Sequence, residues 1–190
     1  WAKAGNFKLK KADNKGKAVV GVTFKLAYNS DMTEEIGTYQ TGSDGSFMVE
    51  DLRAGDIYYQ EIATLDKLVL DNSINHAVIN AGNTTEINFV NNVKQGSFQI
   101  IKKDNKTGKI VRKAGAEFEI LQDSNVVSTI TTNNQGIASS DMLDYGVYTV
   151  REKKAPYKYV ISNETKQVDI CEDNGKYEIE IYNEATVGKI

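Results

Sequence analysis

Apolar and polar residues alternate in short runs along the 190-residue chain, and Gly, Asn and Asp separate the runs. In the first half these runs are FKLKK, VTFKLAY, SFMVEDL, IYYQEIA and TEINFVN. A period of two is the mark of half-buried β-strands, whose side chains point alternately to the two faces of a sheet. Turn chemistry sits between them at Asp13-Asn-Lys-Gly16, Ser43-Asp-Gly45, Asn105-Lys-Thr-Gly108 and Asn134-Gln-Gly136. Helical periodicity is nearly absent, and the segment Ser30 to Ile36 has room for one helical turn only. The pattern predicts an all-β protein built as a sandwich.

The pattern also repeats. GNFKLKKAD at 5–13 returns as GSFQIIKKD at 96–104, and Leu52-Arg-Ala-Gly55 returns as Leu143-Asp-Tyr-Gly146, both 91 residues later. Ile87-Asn-Phe-Val-Asn91 matches Ile179-Glu-Ile-Tyr-Asn183, and Gly21-Val-Thr-Phe24 matches Gly115-Ala-Glu-Phe118, with the small slippage that surface loops tolerate. Two tandem domains follow, residues 1–94 and 95–190. Gly188-Lys-Ile190 falls where a third opening strand would begin, so the chain is expected to stop inside a longer array. Trp1-Ala-Lys-Ala reads as the tail of a preceding connection or an expression scar. No flexible spacer separates Asn91 from Gly96, which predicts stiff stacking of neighbouring repeats of the same chain.

Strand parity then singles out three polar residues in each copy. Phe7 and Leu9 share a face with Lys11, and Phe98 and Ile100 share one with Lys102. Ile57 and Tyr59 lead to Glu61, and Tyr148 and Val150 lead to Glu152; Ile87 and Phe89 lead to Asn91, and Ile179 and Ile181 lead to Asn183. Each copy thus aims a Lys, a Glu and an Asn at its core. Strand ends can carry such residues innocently, because Lys snorkels, inward charge guards an edge and Asn starts turns. Burying an ionised group alone costs several kcal/mol, however, and the same three types recur at matched places in both copies. They are expected to satisfy one another.

Composition removes most other functions. The balance of 23 Lys plus Arg against 26 Asp plus Glu leaves no basic footprint for nucleic acid or an anionic membrane, and no apolar run is long enough for a membrane span. A single Cys171 and a single His76 make neither a disulfide nor a zinc cluster nor a Cys/His nucleophile, so no cofactor or metal is expected. His76 is most simply a strand or loop residue. Gly-x-Ser-x-Gly is missing too, and an enzyme is not the expected function. A domain of about 90 residues buries only roughly two thirds of its unfolded surface, so a staple other than a disulfide would be valuable.

Lys, Glu and Asn supply the chemistry of one. A lysine desolvated among apolar side chains loses its proton more readily and becomes a nucleophilic amine. Asn offers a carboxamide carbon, and a glutamic acid in the same pocket can bond the amide and pass protons to departing ammonia. The product is a Lys–Asn amide, formed once.

The order Gly-x-Phe-x-(Ile/Leu)-x-Lys-x-Asp, Gly-Ala-x-Phe, Asn-x-Gly, Leu-x-x-Gly-x-Tyr-x-x-x-Glu-x-x-Ala-Pro and Ile-x-Asn resembles the CnaB-type (collagen-adhesin B, SpaA-like) repeat of Gram-positive surface adhesins and pilins. It covers essentially the whole chain, twice. The second copy matches better, with Glu152-Lys-Lys-Ala-Pro156-Tyr157, although Lys158 stands where the family often has Gly. The first has Gly21-Val-Thr-Phe24 and no proline after Glu61. The resemblance implies a transthyretin-like or inverse-immunoglobulin sandwich, crosslinks Lys11–Asn91 and Lys102–Asn183, and Glu61 and Glu152 as the assisting acids. Lys10, Lys103 and Asn92 are the competing assignments, disfavoured by parity. It further implies an extracellular, cell-wall-attached stalk, with any host surface ligand held by a distal domain. Direct contact with host matrix by these repeats is the alternative.

Overall fold

The computed structural model describes residues 4–187. Trp1-Ala-Lys3 and the Gly188-Lys-Ile190 proposed to open a third repeat lie outside the described residues. The chain divides into two compact units between Val93 and Lys94. The described residues contain strands and turns and no helix.

The first unit runs β1 (Ala4–Asp13), β2 (Thr23–Ala27), β3 (Glu35–Gln40), β4 (Ser46–Arg53), β5 (Gly55–Ala63), β6 (Ile74–Ile79) and β7 (Thr84–Asn91). One sheet has the order β4-β1-β7 and the other β3-β2-β5-β6. The second unit runs β8 (Gln95–Asp104), β9 (Glu117–Gln122), β10 (Asn125–Thr131), β11 (Ile137–Ser139), β12 (Leu143–Asp144), β13 (Gly146–Lys154), β14 (Thr165–Ile170) and β15 (Gly175–Asn183). Its sheets repeat the plan: β11 and β12 flank β8 where β4 flanks β1, β15 pairs β8, and β10-β9-β13-β14 forms the other layer. Each unit is an all-β sandwich.

Inward residues of both sheets make the core. In the first unit Phe7 and Leu9 of β1 meet Phe24 and Leu26 of β2, Ile57 and Tyr59 of β5, and Phe89 of β7. The rings of Phe24 and Phe89 pack edge to face at 5.0 Å, a geometry favoured by their quadrupoles. The second unit uses Phe98, Ile100, Phe118, Ile120, Tyr148, Val150 and Ile181 at the matching places. A buried threonine pins a corner in each: Thr41 Oγ1 accepts from Val22 N (3.0 Å) and donates to Val19 O (2.8 Å). Thr132 does the same between Ala116 N (3.0 Å) and Lys113 O (2.9 Å).

Sequence pattern and structure differ at the sheet margins. The segment from Ser30 forms no helical turn; it bends with Met32 at φ 61 and enters β3 at Glu35. β3 and β6 are edge strands whose outward positions carry mixed residues, so their alternation is weak. Lys158, where the resemblance calls for Gly, stands at φ 67, and its carbonyl accepts from Thr186 N at 2.8 Å. A Cβ in this left-handed region crowds the backbone, at about 1–2 kcal/mol. Lys158→Gly is therefore expected to stabilise the second unit by about 1 kcal/mol; a urea midpoint that stays level or falls would refute this reading of the loop.

Candidate functional site

Two turns fix each inward lysine by its backbone. Lys11 N–H donates to Gly45 O (2.8 Å), and its carbonyl accepts from Val19 N (3.0 Å). Lys102 does the same with Gly136 O (2.9 Å) and Val111 N (2.8 Å). Gly45 and Gly136 both stand at φ 77, and a Cβ there would lie 2.9 Å from Lys11 O and 2.2 Å from Val111 O respectively. Only glycine lets those turns approach the strand so closely. The Asp-Gly and Gln-Gly signals in the sequence thus set the register of the lysine strands.

Parallel pairing brings the asparagine alongside. β1 and β7 align Lys11 with Phe89 and Asp13 with Asn91, and β8 and β15 align Lys102 with Ile181 and Asp104 with Asn183. Two residues of offset keep Lys and Asn on the same inner face of adjacent strands. The glutamate comes from the opposite sheet, where Glu61 pairs with Phe24 and Glu152 with Phe118. In both units the ladder slips beside this residue, between Thr23 and Phe24 and between Glu152 and Lys154. Such irregularities bend a strand and re-aim its side chains.

All six side chains are buried; Lys102 and Glu61 are 0% exposed, and Lys11, Asn91 and Asn183 only 2%. Asn91 Nδ2 donates to Glu61 Oε2 (3.0 Å) and to Val69 O (2.8 Å). Asn183 Nδ2 donates to Glu152 Oε2 (2.6 Å) and to Val160 O (2.6 Å). The same carboxylate oxygens accept from backbone amides, Asp71 N to Glu61 at 2.9 Å and Ser162 N to Glu152 at 2.6 Å. Glu61 Oε1, Asn91 Oδ1, Glu152 Oε1 and Asn183 Oδ1 have no hydrogen-bond partner among the described residues. Each site therefore leaves a carboxyl oxygen and an amide oxygen free for a proton or a developing charge.

The amines are disposed differently. Lys102 Nζ reaches across to Ile181 O on the asparagine strand (2.6 Å) and lies 3.9 Å from Glu152 Oε1. Lys11 Nζ donates to Ala12 O on its own strand (2.8 Å) and lies 5.9 Å from the Phe89 ring centre. Burial dominates both titrations. It lowers Lys102 from 10.5 to about 8 against the opposing charges of Glu152 and Glu164, and it lowers Lys11 against Glu61 and Asp13. Burial also raises Glu61, outweighing its hydrogen bonds from Asp71 and Asn91 and the charge of Lys11. Desolvation thus moves Lys11 and Glu61 toward a neutral amine and a neutral acid, the pair that acyl transfer to an amine needs.

The two sandwiches match a known family. Residues 5–93 and 96–185 each match the SpaA prealbumin-like fold domain. The chain belongs to this family. Among solved structures, the Bacillus anthracis TIE protein is 26% identical over 97% of this chain with a TM-score of 0.88, and this chain covers 35% of that one. A C-terminal fragment of the pilus adhesin SpaC from Lactobacillus rhamnosus GG shares the fold at 17% identity and a TM-score of 0.58, covering 99% of this chain and 100% of that one. No curated protein matches the chain.

In these SpaA-type domains the competing residues stay outside the cluster. Lys10 pairs with Glu86 at the surface (2.6 Å), Lys103 pairs with Glu180, and Asn92 is exposed. His76 lies on β6 with Nε2 2.8 Å from Asp56 Oδ1. Cys171 is a half-buried free thiol beside the Tyr177 hydroxyl. Among the described residues no group of three or more His, Cys, Asp and Glu is arranged to hold a metal ion. Sequence parity missed the loop groups of Val69, Asp71, Val160 and Ser162, which act through backbone atoms; their only signal is that each pair is 91 residues apart, as Glu61 and Glu152 are.

The Lys102 environment makes a pH prediction. A lysine with a folded pKa of about 8 against 10.5 opposes folding in full below pH 8, where it is protonated in both states. Between those values the unfolded chain holds more protons, so stability rises with pH, by about 3 kcal/mol in all. Asn183→Ala, which keeps the lysine free, should show this rise in urea titrations, and adding Lys102→Met should remove it. Equal pH dependence in the two chains would contradict the assignment.

Proposed function

We propose that each domain closes an isopeptide bond between Lys and Asn, Lys11 to Asn91 and Lys102 to Asn183, with Glu61 and Glu152 as the acids that assist. The observation that carries this reading is the same buried cluster in both copies, in which the asparagine nitrogen is bonded to the glutamate carboxyl beside a desolvated lysine. The neutral amine adds to the amide carbon, Cγ. The Cγ–Nδ2 bond then breaks, the carboxyl passes the amine proton to Nδ2, and ammonia leaves. Asn Nδ2 already touches Glu Oε2, as that proton transfer needs. Contact within one folded core supplies the effective concentration for a reaction that is otherwise very slow. The reaction is a single turnover, so the domain is its own substrate.

The bond ties adjacent parallel strands at the two ends of a domain's sequence. Closing a loop of about 80 residues limits the unfolded chain and stabilises by roughly 4.5 kcal/mol in the chain-entropy treatment. Tension on the chain then passes from β1 to β7, or from β8 to β15, through a covalent bridge. The domains serve as stalk segments of an extracellular, cell-wall-attached adhesin or pilus-like protein of a Gram-positive bacterium, and a distal domain contacts the host. Membership of the SpaA family supports this placement.

Intact mass tests the chemistry. The folded chain should weigh two ammonia molecules less than its sequence, and Glu61→Ala or Glu152→Ala should each restore one. An unmodified mass would sink the proposal, and two losses in both variants would remove the glutamates from it. Pulling the chain by its ends tests the mechanics. Steps of about 80 extended residues, near 280 Å, should appear in Asn91→Ala and Asn183→Ala chains and be missing from the parent; their presence in the parent would refute the stalk reading.

A further inference from the structure

The reacting groups are oriented by a segment that contributes no side chain to the reaction. In the first domain it is the loop 64–73 between β5 and β6, and in the second the loop 155–164 between β13 and β14. Each loop offers one carbonyl and, two residues later, one amide. The carbonyls of Val69 and Val160 take one N–H of the asparagine amide. The amides of Asp71 and Ser162 take the glutamate oxygen that accepts the other. The loop therefore decides which way round the asparagine amide sits. A carbonyl accepts only from an N–H, so Nδ2 must face the loop and the carboxyl while Oδ1 turns away without a partner. Nδ2 is the atom that departs and Oδ1 the atom on which charge develops.

The loop is itself fastened to the chain that follows the asparagine. Val69 N donates to Asn92 O (2.9 Å) and Val160 N to Glu184 O (2.8 Å). Isolated bridges join Leu68 with Val93 and Tyr159 with Ala185. Leu68 plugs the first loop into the core at 1% exposure. Tyr159, 91 residues later, instead ties the second loop down through its hydroxyl, 3.2 Å from Asp104 Oδ2.

We propose that these loops are positioning elements for the crosslink, whose docking orients Asn and Glu and so sets the rate of bond formation. Leu68 and Tyr159 are the residues that seat them. The proposal rests on the isopeptide reading of the cluster, and it goes beyond the Lys, Glu and Asn triads by making the bond conditional on a docked loop. The exit segments Asn92–Val93 and Glu184–Ala185 become part of the reactive assembly, since they hold the loop from its other side.

The full chain made by cell-free synthesis, sampled over time for intact mass and for the branched peptide left by each bond, tests this directly. Leu68→Ala should slow the first ammonia loss about tenfold or more while the second keeps its parent rate, and Leu68→Ile should restore the first. Ser162→Pro, which removes the N–H that meets Glu152, should slow only the second loss, whereas Ser162→Ala, which keeps that N–H, should not. Circular dichroism shows whether the sheets persist; if Leu68→Ala unfolds the first domain, the Ser162 pair decides. Parent rates for both losses in folded Leu68→Ala and Ser162→Pro chains would overturn the loop's role. No loss in the parent chain would instead overturn the isopeptide reading itself.

Discussion

Everything in these domains is organised around a lysine, a glutamate and an asparagine shut inside an apolar core. The cost is large when such groups are considered singly, because a buried ammonium or carboxylate gives up several kcal/mol of hydration. The fold reduces that cost by bringing the three together from two sheets and adding backbone partners from a loop. It does not remove the cost, since a carboxyl oxygen and an amide oxygen remain without a hydrogen bond in each domain. Desolvation lowers both lysines and raises Glu61, which draws those three groups toward their neutral forms and so eases the remainder. Destabilisation of the buried ammonium and the shift of Lys11 and Lys102 toward the neutral amine are one effect.

The two domains meet this constraint with different neighbours. In the second, Ile181 next to the asparagine strand's end leaves its carbonyl open to Lys102 Nζ, so the amine already leans toward β15. In the first, Phe89 stands at the matching register and belongs to an aromatic cluster with Phe24 and Tyr59. Lys11 sits near that ring and bonds within its own strand. An aromatic face favours the ammonium over the amine. The first domain therefore sets an aromatic face against the desolvation that draws Lys11 toward the neutral amine, while Asn91 and Glu61 keep the same mutual contact as Asn183 and Glu152.

Much of this was legible in the sequence because β-strands write their two faces as alternate letters. Phe7-x-Leu9-x-Lys11 puts the lysine inside whatever the rest of the fold does, and the repeat 91 residues later turns one odd position into a rule. The glycine turns were readable as turns, but their grip on the lysine backbone was not, since it depends on which strand they close against. The edges β3 and β6 were not anticipated, because an edge strand with one covered face and few inward residues has little alternation to show. The loop partners left the faintest trace. Val69 O and Ser162 N–H are backbone groups that every residue but proline carries, so no side-chain pattern can name them.

That blindness has a physical lesson for how such a site is divided. The lysine, the glutamate and the asparagine meet through their side chains, and they are the same in both copies. Seating the loop needs only that something fill the space or tie it down, and here the copies diverge, with Leu68 buried in one and the Tyr159 hydroxyl bonded to Asp104 in the other. The backbone bonds that result are nonetheless the same, carbonyl to asparagine and amide to glutamate. Geometry has been kept while the residues that enforce it have changed. A loop free to change its anchor but held to one arrangement of its carbonyl and amide is constrained by the groups it faces, the buried asparagine amide and glutamate carboxyl.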